Sequence, residues 1–265
     1  MKINKIIYLL MASLMLVTTA CDPIVDEQHL SNSTSVENVE LKATNTTPGG
    51  NEIKLEMLTP GVTGYWDYIM DVALTDTHTF VMPVTGTFNF TYRGTVGAEF
   101  FEKSVPVTIT TLDHEAPPEW GALLGPDAVA GKTWVFDGVG GDGGKWWFMS
   151  PPDDVNSALT AWWNAGGECC PPVDVAGKMH FDLDGARNYK YYATAAGEAL
   201  SGTYKLDLAN KKLIIFDSKI LGAEAGNNDQ TYDIVSLTAD KMVLYTPRSL
   251  KDKGTGWTFV YKPQP

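Results

Sequence analysis

From Val39 onward the chain breaks into short runs in which apolar and polar residues alternate, separated by Gly and Pro. "VELKA" and "EIKLEML" alternate, "YWDYIM" is aromatic, and "TFNFTYRG" alternates again before "VPVTITT". A period of two places every second side chain on one face, so each run predicts a half-buried strand. Turn signals recur roughly every eight to twelve residues, the rhythm of a sandwich. "LDHEAPPEWGALLGPDAVAG" (Leu112–Gly131) is rich in Pro and Gly and reads as a connection. Beyond it, "KTWVFDG" opens a second β region. "KMHFDLDGARNYKYYAT", "TYKLDLANKKLIIFD" and "TYDIVSLTADKMVLYTP" each read strand, turn, strand, and "GWTFVYK" adds a last strand. No apolar stripe of helical period runs far enough to predict a helix. The pattern predicts an all-β protein: an N-terminal sandwich over residues 39–115, a linker over 116–130, and a C-terminal antiparallel β-sandwich, jelly-roll-like, over 131–265.

The first residues follow another logic. Lys2 and Lys5 precede an apolar run from Ile6 to Val17, and Thr18-Thr19-Ala20 lead to Cys21. This is the layout of a signal peptide over residues 1–20, too short to span a bilayer. A small residue before Cys resembles a bacterial lipoprotein signal in which Cys21 carries the lipid, although Thr18 stands where Leu is usual. Asp22, Asp26 and Glu27 resemble the acidic tag of surface-exported Bacteroidetes lipoproteins. Residues 21–38 are polar and aperiodic, a flexible tether. On this reading the membrane is reached through a lipid anchor only.

The formal charge is −12; without Lys2 and Lys5, 18 basic residues face 32 acidic ones, about −14. Such a surface repels phosphate, which excludes nucleic acid and anionic membranes as general partners. Beyond Cys21 only Cys169 and Cys170 remain, either a vicinal disulfide or a pair of free thiols. His29, His78, His114 and His180 show no metal-ligand spacing. The Gly138–Gly144 run "GVGGDGG" lies between strands, as a flexible loop or a Ca²⁺-binding turn through Asp142; no other cofactor is indicated. Polysaccharide hydrolysis needs two carboxylates at fixed separation. Asp153-Asp154 and Asp182/Asp184 are the nearest candidates, and their bland roles are turns and caps.

The densest chemistry is aromatic. Trp146-Trp147 and Trp162-Trp163 lie within "KWWFMSPPDDVNSALTAWWNAGG". Adjacent strand residues face opposite ways, so one Trp of each pair is expected in the core, with Trp134 and Trp257. Four rings in so short a loop-rich stretch exceed what one sandwich edge buries, which favours an exposed platform drawn from Trp146, Trp147, Trp162 and Trp163 for stacking on pyranose rings. Asp153, Asp154, Asn156 and Asn164 are the polar partners expected for the sugar hydroxyls.

Two resemblances complete the sequence reading. Trp66-Asp67 with "GTFNFTYRGTVGAEFFEKSVPVTIT" resembles a PKD-type immunoglobulin-like domain, whose usual role is spacing. "GKTWVFDG", "GGKWWFMSPPDD" and "TAWWNAGG" ahead of a hairpin-rich region resemble surface glycan-binding lipoproteins of Bacteroidetes polysaccharide utilisation loci. The resemblance implies a non-catalytic, lipid-anchored outer-membrane protein at the cell surface. It would bind a neutral β-glucan such as laminarin, beside an outer-membrane importer and its partner lipoprotein. "ECCPP" departs from that pattern; a Cys169–Cys170 disulfide would stiffen the turn after Trp163. The rival readings are a glycan hydrolase or lyase on a jelly roll, and a structural or adhesive surface lipoprotein whose Trp are core.

Overall fold

A computed structural model of the chain describes residues 35–138, 146–163 and 170–265. Cys21 and the signal peptide lie outside the described residues, as do Asp142, Asn164 and Cys169. The described chain is all-β, with sixteen strands, one seven-residue α-helix and three single 3₁₀ turns. No helix among the described residues is long and apolar enough to cross a membrane.

The N-terminal strands make two sheets. β1 (Leu41–Asn45), β2 (Glu52–Met57) and β5 (Thr77–Val81) form one in the order β1-β2-β5. β3 (Val62–Asp67), β4 (Val72–Ala73), β6 (Gly86–Val96) and β7 (Glu99–Ile109) form the other in the order β4-β3-β6-β7. The alternation of "EIKLEM" buries Ile53, Leu55 and Met57 and leaves Glu52, Lys54 and Glu56 outward. The sheets meet where Phe80 of β5 packs edge-on against Phe90 of β6, with centroids 5.3 Å apart. Trp66 is fully buried against Tyr92 at 5.3 Å. Gly97, at φ 60°, supplies the left-handed first position of the two-residue turn that pairs Val96 with Glu99.

The second region departs from the expected sandwich. β8 (Lys132–Phe136), β10 (Lys178–Asp182), β11 (Asn188–Tyr192), β12 (Ala199–Asp207), β13 (Lys212–Phe216), β14 (Thr231–Leu237), β15 (Met242–Thr246) and β16 (Gly256–Pro263) each pair antiparallel with the next. β16 then returns to β8, Tyr261 opposite Phe136 and Pro263 opposite Trp134. The result is a closed eight-stranded barrel. Successive hairpins write the same alternating pattern whether the sheet splits into two layers or closes on itself. The distinction rests on that one pairing of first and last strands, which removes both free edges. β9 (Trp147–Ser150) stands outside the ring, pairing with the Gly256–Phe259 half of β16.

Aromatic rings fill the barrel. Trp134, Phe136, Phe181, Tyr189, Tyr204, Tyr232, Phe259 and Tyr261 are all fully buried. Their phenols find partners: Tyr189 donates to the Lys219 carbonyl at 2.7 Å and Tyr261 to the Leu221 carbonyl at 2.7 Å. Burial raises the pKa of both well above the ordinary tyrosine value, so they stay neutral donors.

Both ends of the barrel are covered. At the base lies the helix α1 (Pro118–Leu124), within the segment expected to be a plain linker. Seven residues are too few to show a helical period, yet Trp120, Leu123 and Leu124 fall on one buried face. Trp134 Nε1 donates to the Leu123 carbonyl at 3.0 Å, tying helix to barrel. At the other end, the rim, Ile220, Leu221 and Ala225 plug the mouth, each fully buried. Buried Asp174 latches this plug, accepting from Gly222 N at 2.9 Å and from the Tyr191 hydroxyl at 2.8 Å.

Two outcomes follow for stability. Trp134→Ala should cost about 3–5 kcal/mol in urea unfolding, because it opens the core and orphans the Leu123 carbonyl. Asp174 has its pKa raised, burial outweighing the bonds from Tyr191 and Gly222. The folded state therefore holds this proton more tightly than the unfolded state. The stabilising contribution is complete below the unfolded value of 3.8 and declines as pH rises from there through the folded value. Unfolding free energies of the native chain and Asp174→Asn, compared between about pH 4 and pH 6, should show this decline in the native chain alone.

Candidate functional site

The Trp-rich stretch wraps the outside of the barrel at its rim. Phe148 turns outward from β9 and packs on Val243 and Val260, with Ala161 against the same cluster. The Ala158 carbonyl accepts from Thr258 Oγ1 at 2.6 Å, so residues 148–161 cover the outer faces of β15 and β16. The chain then returns to the free edge of β9. Trp162 N donates to the Met149 carbonyl at 2.8 Å, and Met149 N to the Trp163 carbonyl at 3.1 Å.

This placement sorts the four rings. Trp147 is buried in the rim, its Nε1 donating to the Cys170 carbonyl at 3.2 Å. Trp146 is half-buried against the core, and its ring leaves no room for a side chain at Gly138. Trp162 and Trp163 are both open to solvent, at 54% and 43% exposure. The expectation that one of this second pair joins the core is corrected: a bridge to Met149 holds the segment, and among the described residues no further strand covers either ring. Trp134 and Trp257 are buried as expected.

Behind the exposed pair stands an aromatic stack. Trp163 meets Trp257 at 6.1 Å, and Trp257 meets Trp147 at 4.6 Å, both nearly edge-on. Lys251 closes the stack from the loop between β15 and β16, its Nζ 4.6 Å from the Trp147 centroid and 5.7 Å from that of Trp257. Glu224, in the plug, lies 3.6 Å from the same Nζ. Ser249 Oγ accepts from Lys251 N at 3.1 Å, and Leu250 N donates to the Gly226 carbonyl at 2.8 Å, fixing the loop to the plug.

The polar candidates have defined duties. Asp153 sits at φ 56° and forms a forked ion pair with Arg248, Nε to Oδ1 at 3.0 Å and Nη2 to Oδ2. Asp154 caps a 3₁₀ turn (Val155–Ser157), accepting from Asn156 N at 3.0 Å and Ser157 Oγ at 2.5 Å. The Ser157 bond, ahead of its other contacts, holds the Asp154 pKa below its ordinary value. Asn156 is exposed beside them. Cys170 is disulfide-bonded, which removes the free-thiol alternative for it; its partner lies outside the described residues, as do Asn164 and Asp142.

Asp182 and Asp184 lie at the opposite end of the barrel from Asp153 and Asp154. Asp182 accepts from Asn188 Nδ2 at 2.6 Å and from Asp184 N at 3.0 Å, bracing the turn after β10. The two acidic groups therefore do not converge on one cleft. Among the described residues no cluster of three His, Cys, Asp or Glu could hold a metal ion.

Sequence reasoning missed Arg248 and Lys251. They belong to "TPRSLKDKGTGW", which carries no motif; the turn signal of Gly254 and Gly256 marks a loop without showing what it faces. No protein-family model matches the chain, and no curated protein is significantly similar to it.

Lys251→Met keeps much of the side chain's volume and removes its charge. It should lower stability by no more than about 1 kcal/mol, as a partly exposed cation–π contact allows. It should nonetheless change the near-ultraviolet circular dichroism of the Trp stack. An unaltered spectrum would mean the cation does not order these rings.

Proposed function

We propose that this chain is a non-catalytic, cell-surface polysaccharide-binding protein whose platform is Trp162 and Trp163. The observation that carries the reading is two adjacent indoles left open to solvent in a protein that buries Trp66, Trp120, Trp134, Trp147 and Trp257. An exposed indole face suits the apolar face of a pyranose, and the exposed Asp153, Asn156 and Arg248 are the acceptors and donors proposed for its hydroxyls. The charges are internally compensated, Arg248 by Asp153 and Lys251 by Glu224. A neutral glycan fits such a site better than an anionic one.

The leading ligand is a β-glucan such as laminarin, in keeping with the resemblance to glycan-binding lipoproteins of polysaccharide utilisation loci. In that setting Cys21 anchors the chain to the outer membrane and the importer receives the captured glycan. The two N-terminal sheets then serve as a PKD-like spacer. They sit at the base of the barrel, where Arg187 Nη1 donates to the Met70 carbonyl at 2.7 Å, and so hold the rim away from the tether.

Affinity electrophoresis of residues 22–265 through gels containing laminarin, mixed-linkage glucan, xylan or starch tests this directly. Laminarin should retard the native chain. Trp162→Ala and Trp163→Ala should each weaken binding by about thirtyfold, the scale of removing a central aromatic anchor. Unchanged mobility in all four gels would refute the glucan assignment.

A further inference from the structure

A second aromatic groove lies at the other end of the barrel, between its base and the N-terminal sheets, with a volume of about 400 Å³. Tyr68, Phe80 and Trp120 line it, together with Asp71, Glu115 and Asp207. Tyr68 and Phe80 are only partly buried and overlap face to face at 4.5 Å, so Tyr68 overlies Phe80, which Phe90 braces edge-on. Trp120 of α1 is fixed from the barrel side by Tyr204 at 6.3 Å. One wall thus belongs to the N-terminal sheets and the other to the barrel.

The units are pinned to each other across this groove. Lys205 of β12 pairs with Asp71 at 3.0 Å, beside the Arg187–Met70 hydrogen bond. The groove is therefore preformed, and no element has to move to create it. Its volume falls within the range of small-ligand sites, which join a mostly apolar floor to a few polar groups. Its charged lining is acidic, Asp71, Glu115 and Asp207, with Asp71 compensated by Lys205 from outside the lining. Burial and the Asp71 charge raise the Tyr68 pKa to about 12, so its hydroxyl remains a neutral donor at physiological pH.

We propose that this groove is a second saccharide site, which stacks one pyranose unit of a neutral glycan on the face of Tyr68 turned away from Phe80 and binds its hydroxyls through Asp71, Glu115 and Asp207. The carboxylates disfavour an anionic occupant and accept from hydroxyls, and the open face of Tyr68 suits a ring-shaped one. The proposal rests on the reading of the chain as a glycan binder, but on different residues at a different end of the barrel. A long glycan would then touch the protein at two separated places, which raises its avidity without tighter single contacts.

Methionine methyl resonances separate the two sites. Met70 lines the groove, whereas Met149 pairs with Trp163 at the rim. The full mature chain, labelled with ¹³C-methyl methionine and assigned by Met→Leu substitution, is titrated with laminaritriose, cellotriose, xylotriose and maltotriose. Met70 and Met149 should both shift with the same trisaccharide. Tyr68→Ala should abolish the Met70 response and keep that of Met149, and Glu115→Gln, an exposed and conservative change, should weaken the Met70 response several-fold. A Met149 shift alone would overturn the groove proposal and leave the rim reading standing. A Met70 shift alone would uphold the groove and refute the rim. Silence of both methyls with every sugar would refute both.

Discussion

The backbone pairing of β16 with β8 is the contact on which the rest of this structure depends. Three residue pairs, Tyr261–Phe136, Lys262–Val135 and Pro263–Trp134, turn a row of hairpins into a closed ring. Closure fixes the diameter, and an eight-stranded barrel is just wide enough for side chains to fill it. Here the filling is aromatic, with Trp134, Phe181, Tyr189, Tyr204 and Tyr261 fully buried and the rim plugged by Ile220 and Leu221. Buried hydroxyls that end on the carbonyls of Lys219 and Leu221 bind barrel to plug. The described interior is therefore packed core.

That constraint explains the arrangement at the rim. The Gly256–Phe259 half of β16 lies beyond the strand that closes the ring, and β9 pairs with it. β9 in turn offers an edge on which Trp162 and Trp163 settle through Met149. The stack of Trp163, Trp257 and Trp147 under Lys251 joins the exposed rings to the buried core, so the platform is supported from behind. An aromatic surface on such a rigid backing loses little conformational freedom when a ligand lands on it.

Much of the fold was legible in the sequence, because local pattern and strand placement agree. "EIKLEM" alternates and buries as read, and the alternating "TFNFTYRG" and following "VPVTITT" are both strands, paired with each other. What stayed hidden is long-range. Whether β16 ends a sandwich or meets β8 is a choice between pairings of identical local pattern. The helix at Pro118–Leu124 was lost because a single short turn of apolar residues has no period to detect. At the site, the clustering of Trp in one segment was visible, but alternation misjudged Trp162 and Trp163, which lie outside a full strand. Arg248 and Lys251 reach the rim only through tertiary folding of a loop whose sequence marks nothing but a turn.

The central claim is that a glycan lands on Trp162 and Trp163 while the other indoles stay inside. The measurement that tests it most directly is ¹⁹F NMR of the chain labelled with 5-fluorotryptophan, titrated with laminarin oligosaccharides. Assignment by Trp→Phe substitution would identify each of the eight Trp resonances. The account predicts that the Trp162 and Trp163 signals shift with added sugar, while those of Trp66 and Trp134 remain fixed. Fixed Trp162 and Trp163 signals at saturating sugar, or shifts led by a buried indole, would contradict it.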